Sequence, residues 1–130
     1  MNAFDGWLPG IVHRRSPHFN GRPEGTLVSL AVLHYISLPA GCFRGEDVDA
    51  LFMGRLDAQS RPEYESLRGL RVSSHFFVRR TGEIRQYVSV FDRAWHAGIS
   101  SFEGRPGCND FSVGIELEGT GETVFEEMQY

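Results

Sequence analysis

The stretch Asn109–Gly119, NDFSVGIELEG, alternates apolar and polar residues with a period of two. That period is the mark of a β-strand with two unlike faces. Phe111, Val113, Ile115 and Leu117 share one face, which is predicted to be the core face. Ser112, Gly114, Glu116 and Glu118 share the other. A glycine inside a strand weakens it and often marks the close approach of a ligand or another chain segment. Two readings fit Glu116 on this pattern. It is a solvated residue on the outer face of an antiparallel strand, or a carboxylate on the floor of a site.

A second strand is predicted at Thr26–Leu38, TLVSLAVLHYISL, which is nearly continuous in apolar residues and flanked by turn residues. Such a run reads as a buried strand in the centre of its sheet. Val28, Leu30, Val32, His34 and Ile36 fall on one face. An imidazole on an apolar face needs a hydrogen-bond partner or a metal. A satisfied core histidine and a ligand both fit His34.

The remaining elements are shorter. Met1–Pro23 is rich in turn signals and reads as loop; His13 and His18 within it read as structural or exposed residues. Pro39–Gly45 is a loop with Cys42, and Glu46–Met53 a short helix with Val48, Leu51 and Phe52 on one stripe. Asp57–Gly69 is polar, contains Pro62 and reads as an irregular rim with one helical turn. Val72–Arg80 and Glu83–Val90 form a hairpin turning at Thr81-Gly82. His75 shares a face with Phe77 and reads as a packing residue. RAWHAG at Arg93–Gly98 places Trp95 and His96 side by side in a loop able to contact a ligand. Val124, Phe125 and Met128 have helical spacing, so Glu122–Tyr130 is predicted to open a helix.

Composition narrows the function classes. The chain has 130 residues, about one domain, and 41% hydrophobic residues, ordinary for a globular protein. The formal charge of -4 and the absence of a polybasic run argue against a nucleic-acid partner. No signal peptide or membrane span is expected from the N-terminal residues. Cys42 and Cys108 are far apart and outside any CxxC pattern, which suits free thiols in a reducing compartment, simplest the cytoplasm.

Several separated segments agree on one family. SPHFNGRPEG, LAVLHYISLPAG, DALFMGRLD, LRVSSHFFVRRTGEIRQYV and RAWHAGISSFEGRPGCNDFSVGIELEGT, in this order, resemble the AmpD-type 1,6-anhydro-N-acetylmuramyl-L-alanine amidases. These belong to the zinc amidase and peptidoglycan-recognition protein superfamily. The resemblance runs from Gly6 to Tyr130 and implies a single domain of the α/β (α+β) class, with a central mixed sheet flanked by helices. It implies hydrolysis of the amide between N-acetylmuramic acid and L-alanine in recycled cell-wall fragments, with a muropeptide as substrate partner. It further implies that zinc polarises the carbonyl and activates water, helped by a glutamate.

Residue by residue, His34 matches the family's first zinc ligand and Glu116 its catalytic glutamate. Arg71, Trp95 and His96 match positions lining the substrate groove, while the histidine matching His75 is not a ligand. The family's other zinc-binding histidine and aspartate, and a lysine, lie in a segment beyond Tyr130. The resemblance therefore implies a domain incomplete at its C-terminus, lacking two of three protein ligands and the flanking C-terminal helices. A sheet face left open in this way is expected to favour self-association. Tyr35 stands where asparagine is common, and Gly107 where arginine often precedes the cysteine. Two other readings stay open: a muropeptide-binding module without catalysis, and a site built by His34, His75 and His96 with Glu116.

Overall fold

The computed structural model describes residues 4–43, 45–122 and 124–130. Met1–Ala3, Arg44 and Thr123 lie outside it; they fall in the expected N-terminal loop, the Pro39–Gly45 loop and the expected C-terminal helix. The strands are β1 (Val12–His13), β2 (Phe19–Gly21), β3 (Leu30–Ile36), β4 (Phe76–Val78), β5 (Ile84–Gln86), β6 (Asp92–Ala94), β7 (Ser101–Phe102), β8 (Arg105–Pro106) and β9 (Ser112–Glu118). Helix α1 covers Asp47–Phe52, and single 3-10 turns cover Pro62–Leu67, Cys108–Phe111 and Glu127–Gln129.

Five strands form one mixed sheet in the order β1-β5-β4-β9-β3. β9 runs parallel to both β3 and β4, and β4 and β5 make the expected antiparallel hairpin. β2 pairs with β6, and β7 with β8, as small separate ribbons. The expectation of a central sheet with helices is met. The placement of the Thr26–Leu38 strand is corrected: β3 lies at the edge of the sheet, next to β9. An unbroken apolar run fits an edge as well as a centre, because side-chain composition does not say how many neighbours a strand has.

Register decides which side chains meet. His34 lies opposite Glu116, and Glu116 opposite Phe77 on its other side. Phe77 lies opposite Arg85. Partners in register point to the same face, so Arg85, Phe77, Glu116 and His34 form one row across the sheet. Helix α1 packs on this face. Val48, Leu51 and Phe52 join Phe77, Tyr87, Val88 and Ala94 in one buried cluster, with Ile36, Leu38 and Val72 against it. The Phe52 ring meets Tyr87 edge-on at 5.2 Å and Phe77 at 6.3 Å.

Here the reading of β9 is overturned. Its buried residues are Ser112, Gly114, Glu116 and Glu118, while Val113, Ile115 and Leu117 are only half buried. The apolar face carries Leu33, 64% exposed, and Tyr35, 59% exposed, on neighbouring β3. Alternation separates two faces without saying which one the rest of the chain covers.

Ion pairs let the polar face be buried. Arg79 bonds Glu118 at 3.2 Å and Glu46 at 3.1 Å, and Arg85 reaches Glu46 at 2.8 Å and Asp49 at 3.3 Å. The Tyr87 hydroxyl donates to Asp49 at 2.7 Å. These contacts fasten the start of α1 to the sheet and hold the Glu46 carboxyl below its usual range, chiefly through the Arg85 hydrogen bond. The expected helix over Glu122–Tyr130 is replaced by one 3-10 turn, with Val124 and Met128 exposed. A helix that short is marginal without packing. Glu126 and Gln129 instead cap that turn reciprocally.

Candidate active site

β9 and β3 set the floor. Glu116 is 8% exposed, and among the described residues its Oε2 is enclosed with no hydrogen-bond partner. Burial raises its carboxyl from 4.5 to about 7. An orphaned, desolvated carboxylate is unfavourable for folding alone and is the arrangement expected of a proton-transferring group. His34 stands beside it in register. Burial lowers the His34 pKa, so its imidazole is neutral near pH 7.

His34 is not isolated. Its Nε2 lies 2.9 Å from Nδ1 of His96, whose Nε2 lies 3.0 Å from the Ser112 hydroxyl. The His96 ring lies flat against Gly114. A Cβ built at Gly114 would sit 2.5 Å from two of its ring carbons. The glycine that weakens β9 is there to admit this ring. Gly114→Ala is expected to cost about 1–3 kcal/mol through overpacking. Thermal melts of Gly114→Ala, His96→Ala and the double variant check it: the cost of the alanine should largely vanish once His96 is gone.

His75 is fully buried. Its Nδ1 accepts from the Gly114 N–H at 3.1 Å and its Nε2 donates to the Asp92 carbonyl at 2.9 Å. Desolvation pushes it down to about 4, and His96, buried beside it, to about 3. Both nitrogens of His75 and of His96 are engaged, which removes the three-histidine reading. His75 is the packing residue expected from its face.

The fit to a zinc ion follows from these donors. His34 is neutral, and among the described residues no hydrogen bond reaches its Nδ1. No three His, Cys, Asp or Glu among the described residues converge on one point. A tetrahedral catalytic zinc takes three protein ligands. These residues supply one corner of such a site and do not complete it.

Trp95 and Arg71 lie on one rim, joined by His18. The Trp95 ring stacks on His18 at 6.1 Å, and its Nε1 donates to Asn20 Oδ1 at 3.0 Å. His18 also lines a recess of about 180 Å³ with Leu51, Leu56, Leu70 and the exposed Arg71. His18 donates from Nδ1 to the Val72 carbonyl at 2.9 Å. The exposed part of this rim is Arg71 and one side of Trp95, whereas the His96 ring is turned inward.

Residues in the NGRP turn and before β9 hold these parts, and sequence reasoning passed over them. Arg22 donates to the carbonyls of Asn109, Asp110, Val90 and Ser112 at 2.9–3.1 Å. Asn109 Oδ1 accepts from the backbone N–H groups of His96 and Ala97 at 3.2 and 2.9 Å. The only signal was an arginine in a turn-rich segment and an asparagine at the head of the β9 stretch.

Comparison with known proteins adds a separate line. A family model described as N-acetylmuramoyl-L-alanine amidase matches residues 24–130. The 1,6-anhydro-N-acetylmuramyl-L-alanine amidase AmpD of Escherichia coli (strain K12) is 50% identical over 125 residues, 96% of this chain and 68% of the relative. The Citrobacter freundii protein of the same name is 50% identical over 126 residues, 97% of this chain and 67% of the relative. Among solved structures, a crystal structure of a Se-Met AmpD derivative superposes with a TM-score of 0.95 at 49% identity, covering 100% of this chain and 73% of that one.

Proposed function

The chain belongs to the N-acetylmuramoyl-L-alanine amidase family, and from that premise we propose that it hydrolyses the amide between 1,6-anhydro-N-acetylmuramic acid and L-alanine in peptidoglycan recycling. Two relatives half identical over nearly the whole chain carry that name. The observation that carries the reading is the Glu116 carboxylate, orphaned, buried and shifted to about 7 beside His34. Near pH 7 such a group is partly ionised, so it can take a proton from water and return it to the leaving amine.

His34 would hold one corner of a zinc ion, which would supply Lewis-acid chemistry if the rest of its ligand set were present. Glu116 handles the proton. Trp95 offers an apolar face and Arg71 a cation to the substrate's sugar and carboxylates, from the rim that His18 joins. The free thiols of Cys42 and Cys108 support a reducing, cytoplasmic setting.

A second reading, muropeptide binding without cleavage, is favoured by the single zinc donor among the described residues. The experiment is to incubate the chain with zinc and anhydro-N-acetylmuramyl-L-alanyl peptide. Mass spectrometry follows the free peptide amine and calorimetry follows binding. Cleavage by the wild type and not by Glu116→Gln supports the amidase. Binding with no cleavage selects the second reading, and neither result sinks both.

A further inference from the structure

We propose that the outer edge of β3 is a dimerisation surface: two copies of this chain pair antiparallel along Leu30–Ile36, with a two-fold axis at Leu33, and their two sheets become one. The pairing stands apart from the amidase reading, since it asks no residue to bind metal or substrate.

The two edges of the sheet are built differently. An edge strand offers unpaired N–H and C=O groups to any other strand, and proteins blunt such edges with short strands, charges, proline or a covering segment. The β1 edge is blunted in this way: it is two residues long and runs into Arg14 and Arg15. The β3 edge is not. It is seven residues long, LAVLHYI, with no Lys, Arg, Asp, Glu or Pro, and among the described residues no strand lies on its outer side. Ala31, Leu33 and Tyr35 are its exposed positions.

The backbone fixes what can fill the edge. The Gly119 N–H donates to the Ile36 carbonyl at 3.0 Å, whereas the Gly114 N–H turns away from β3 to His75. Leu30, Val32, His34 and Ile36 therefore bond β9, and the N–H and C=O groups of Ala31, Leu33 and Tyr35 point to the open edge. A second β3 laid antiparallel, Leu33 opposite Leu33, answers each of these groups. Leu33 exchanges both bonds with the partner's Leu33, and Ala31 with the partner's Tyr35. On the exposed face each Tyr35 ring lies over the partner's small Ala31, and the two Leu33 side chains meet at the axis. On the other face Val32 comes beside the partner's His34, which adds an apolar residue to the His34–Glu116 row. No like charges meet. A surface that complements its own copy makes an isologous pair, which closes at two. The outer edges left over are then the two short β1 strands.

The test is sedimentation equilibrium of the 130-residue chain across micromolar concentrations, with amide hydrogen exchange read by NMR on the same samples. The expected result is a reversible passage from 14.7 kDa to twice that mass. The amides of Ala31, Leu33 and Tyr35 should be protected in the dimer and exchange in the monomer. Leu33→Lys sets two like charges across the axis and should weaken the dimer about 10-fold or more. Leu33 is exposed, so the monomer's thermal melt should be little changed. Val12→Lys, on the opposite edge, should leave the dimer as it is. A chain that stays monomeric throughout overturns the proposal, and so do particles that grow beyond two copies. A dimer whose three amides still exchange freely pairs elsewhere and overturns it too. Protection of those amides in the dilute monomer would mean that the chain's own segments cover the edge, which also overturns it.

Discussion

Glu116→Gln is expected to make the chain more stable and less active at once. The carboxyl sits at about 7 in the folded chain against 4.5 for an unperturbed glutamate, with burial as the cause. Between those values the folded state holds a proton that the unfolded state has lost, so stability falls as pH rises through this window. Below about pH 4.5 there is no penalty; above about 7 it is fully present. At about 1.4 kcal/mol per pKa step the penalty is about 3 kcal/mol, or roughly 10 °C in melting temperature for a domain of this size. The amide cannot ionise. Melts with a chelator present should therefore find the variant and wild type alike at pH 4, and the variant well above wild type at pH 8. Turnover of the anhydro-muramyl substrate should fall about 10²–10⁴-fold. Equal stability at pH 8 would mean that water or a cation already solvates Glu116 in solution.

The elements legible in the sequence are those whose signal is local. The period of two in β9, the apolar run of β3, the Thr81-Gly82 turn and the α1 stripe each depend on neighbours within a few residues, and each is present. The orientation of β9 was not legible, because it depends on Arg79 and Glu46, far away in the chain. The Arg79 guanidinium neutralises Glu118 and makes a polar face buriable. From sequence a glutamate reads as solvated until its partner is known.

The site follows the same division. Gly114 announced a close approach, and the approach is real, but the arriving group is the His96 ring. His96 was expected on the groove surface because RAWHAG reads as a loop. The loop is indeed there, yet Asn109 and Gly114 turn the ring inward onto His34. Arg22 was invisible for a related reason. Its four carbonyl acceptors belong to segments about 70 to 90 residues later in the chain, and carbonyls leave no mark in a sequence.

The apolar packing of the core and the chemistry of Glu116 meet at Phe77, where the second large effect is expected. Phe77 is fully buried, contacts Phe52 edge-on, and sits beside Glu116 on the same face. Phe77→Ala should cost about 3–5 kcal/mol, the usual range for losing a buried phenylalanine. That is a large share of the roughly 5–15 kcal/mol that holds a domain folded. The same cavity removes apolar wall from the carboxyl. Water admitted there solvates the charged form, so the Glu116 pKa should fall from about 7 toward 4.5. Denaturant unfolding measures the first effect, and carboxyl-carbon NMR titration of Glu116 the second. Phe77→Leu serves if the alanine variant does not fold, with both effects smaller and in the same direction. A destabilised variant whose Glu116 still titrates near 7 would mean that the wall raising it is built by residues other than Phe77. The carboxyl would then be tuned independently of the core, and the two functions of this sheet face would be separable by mutation.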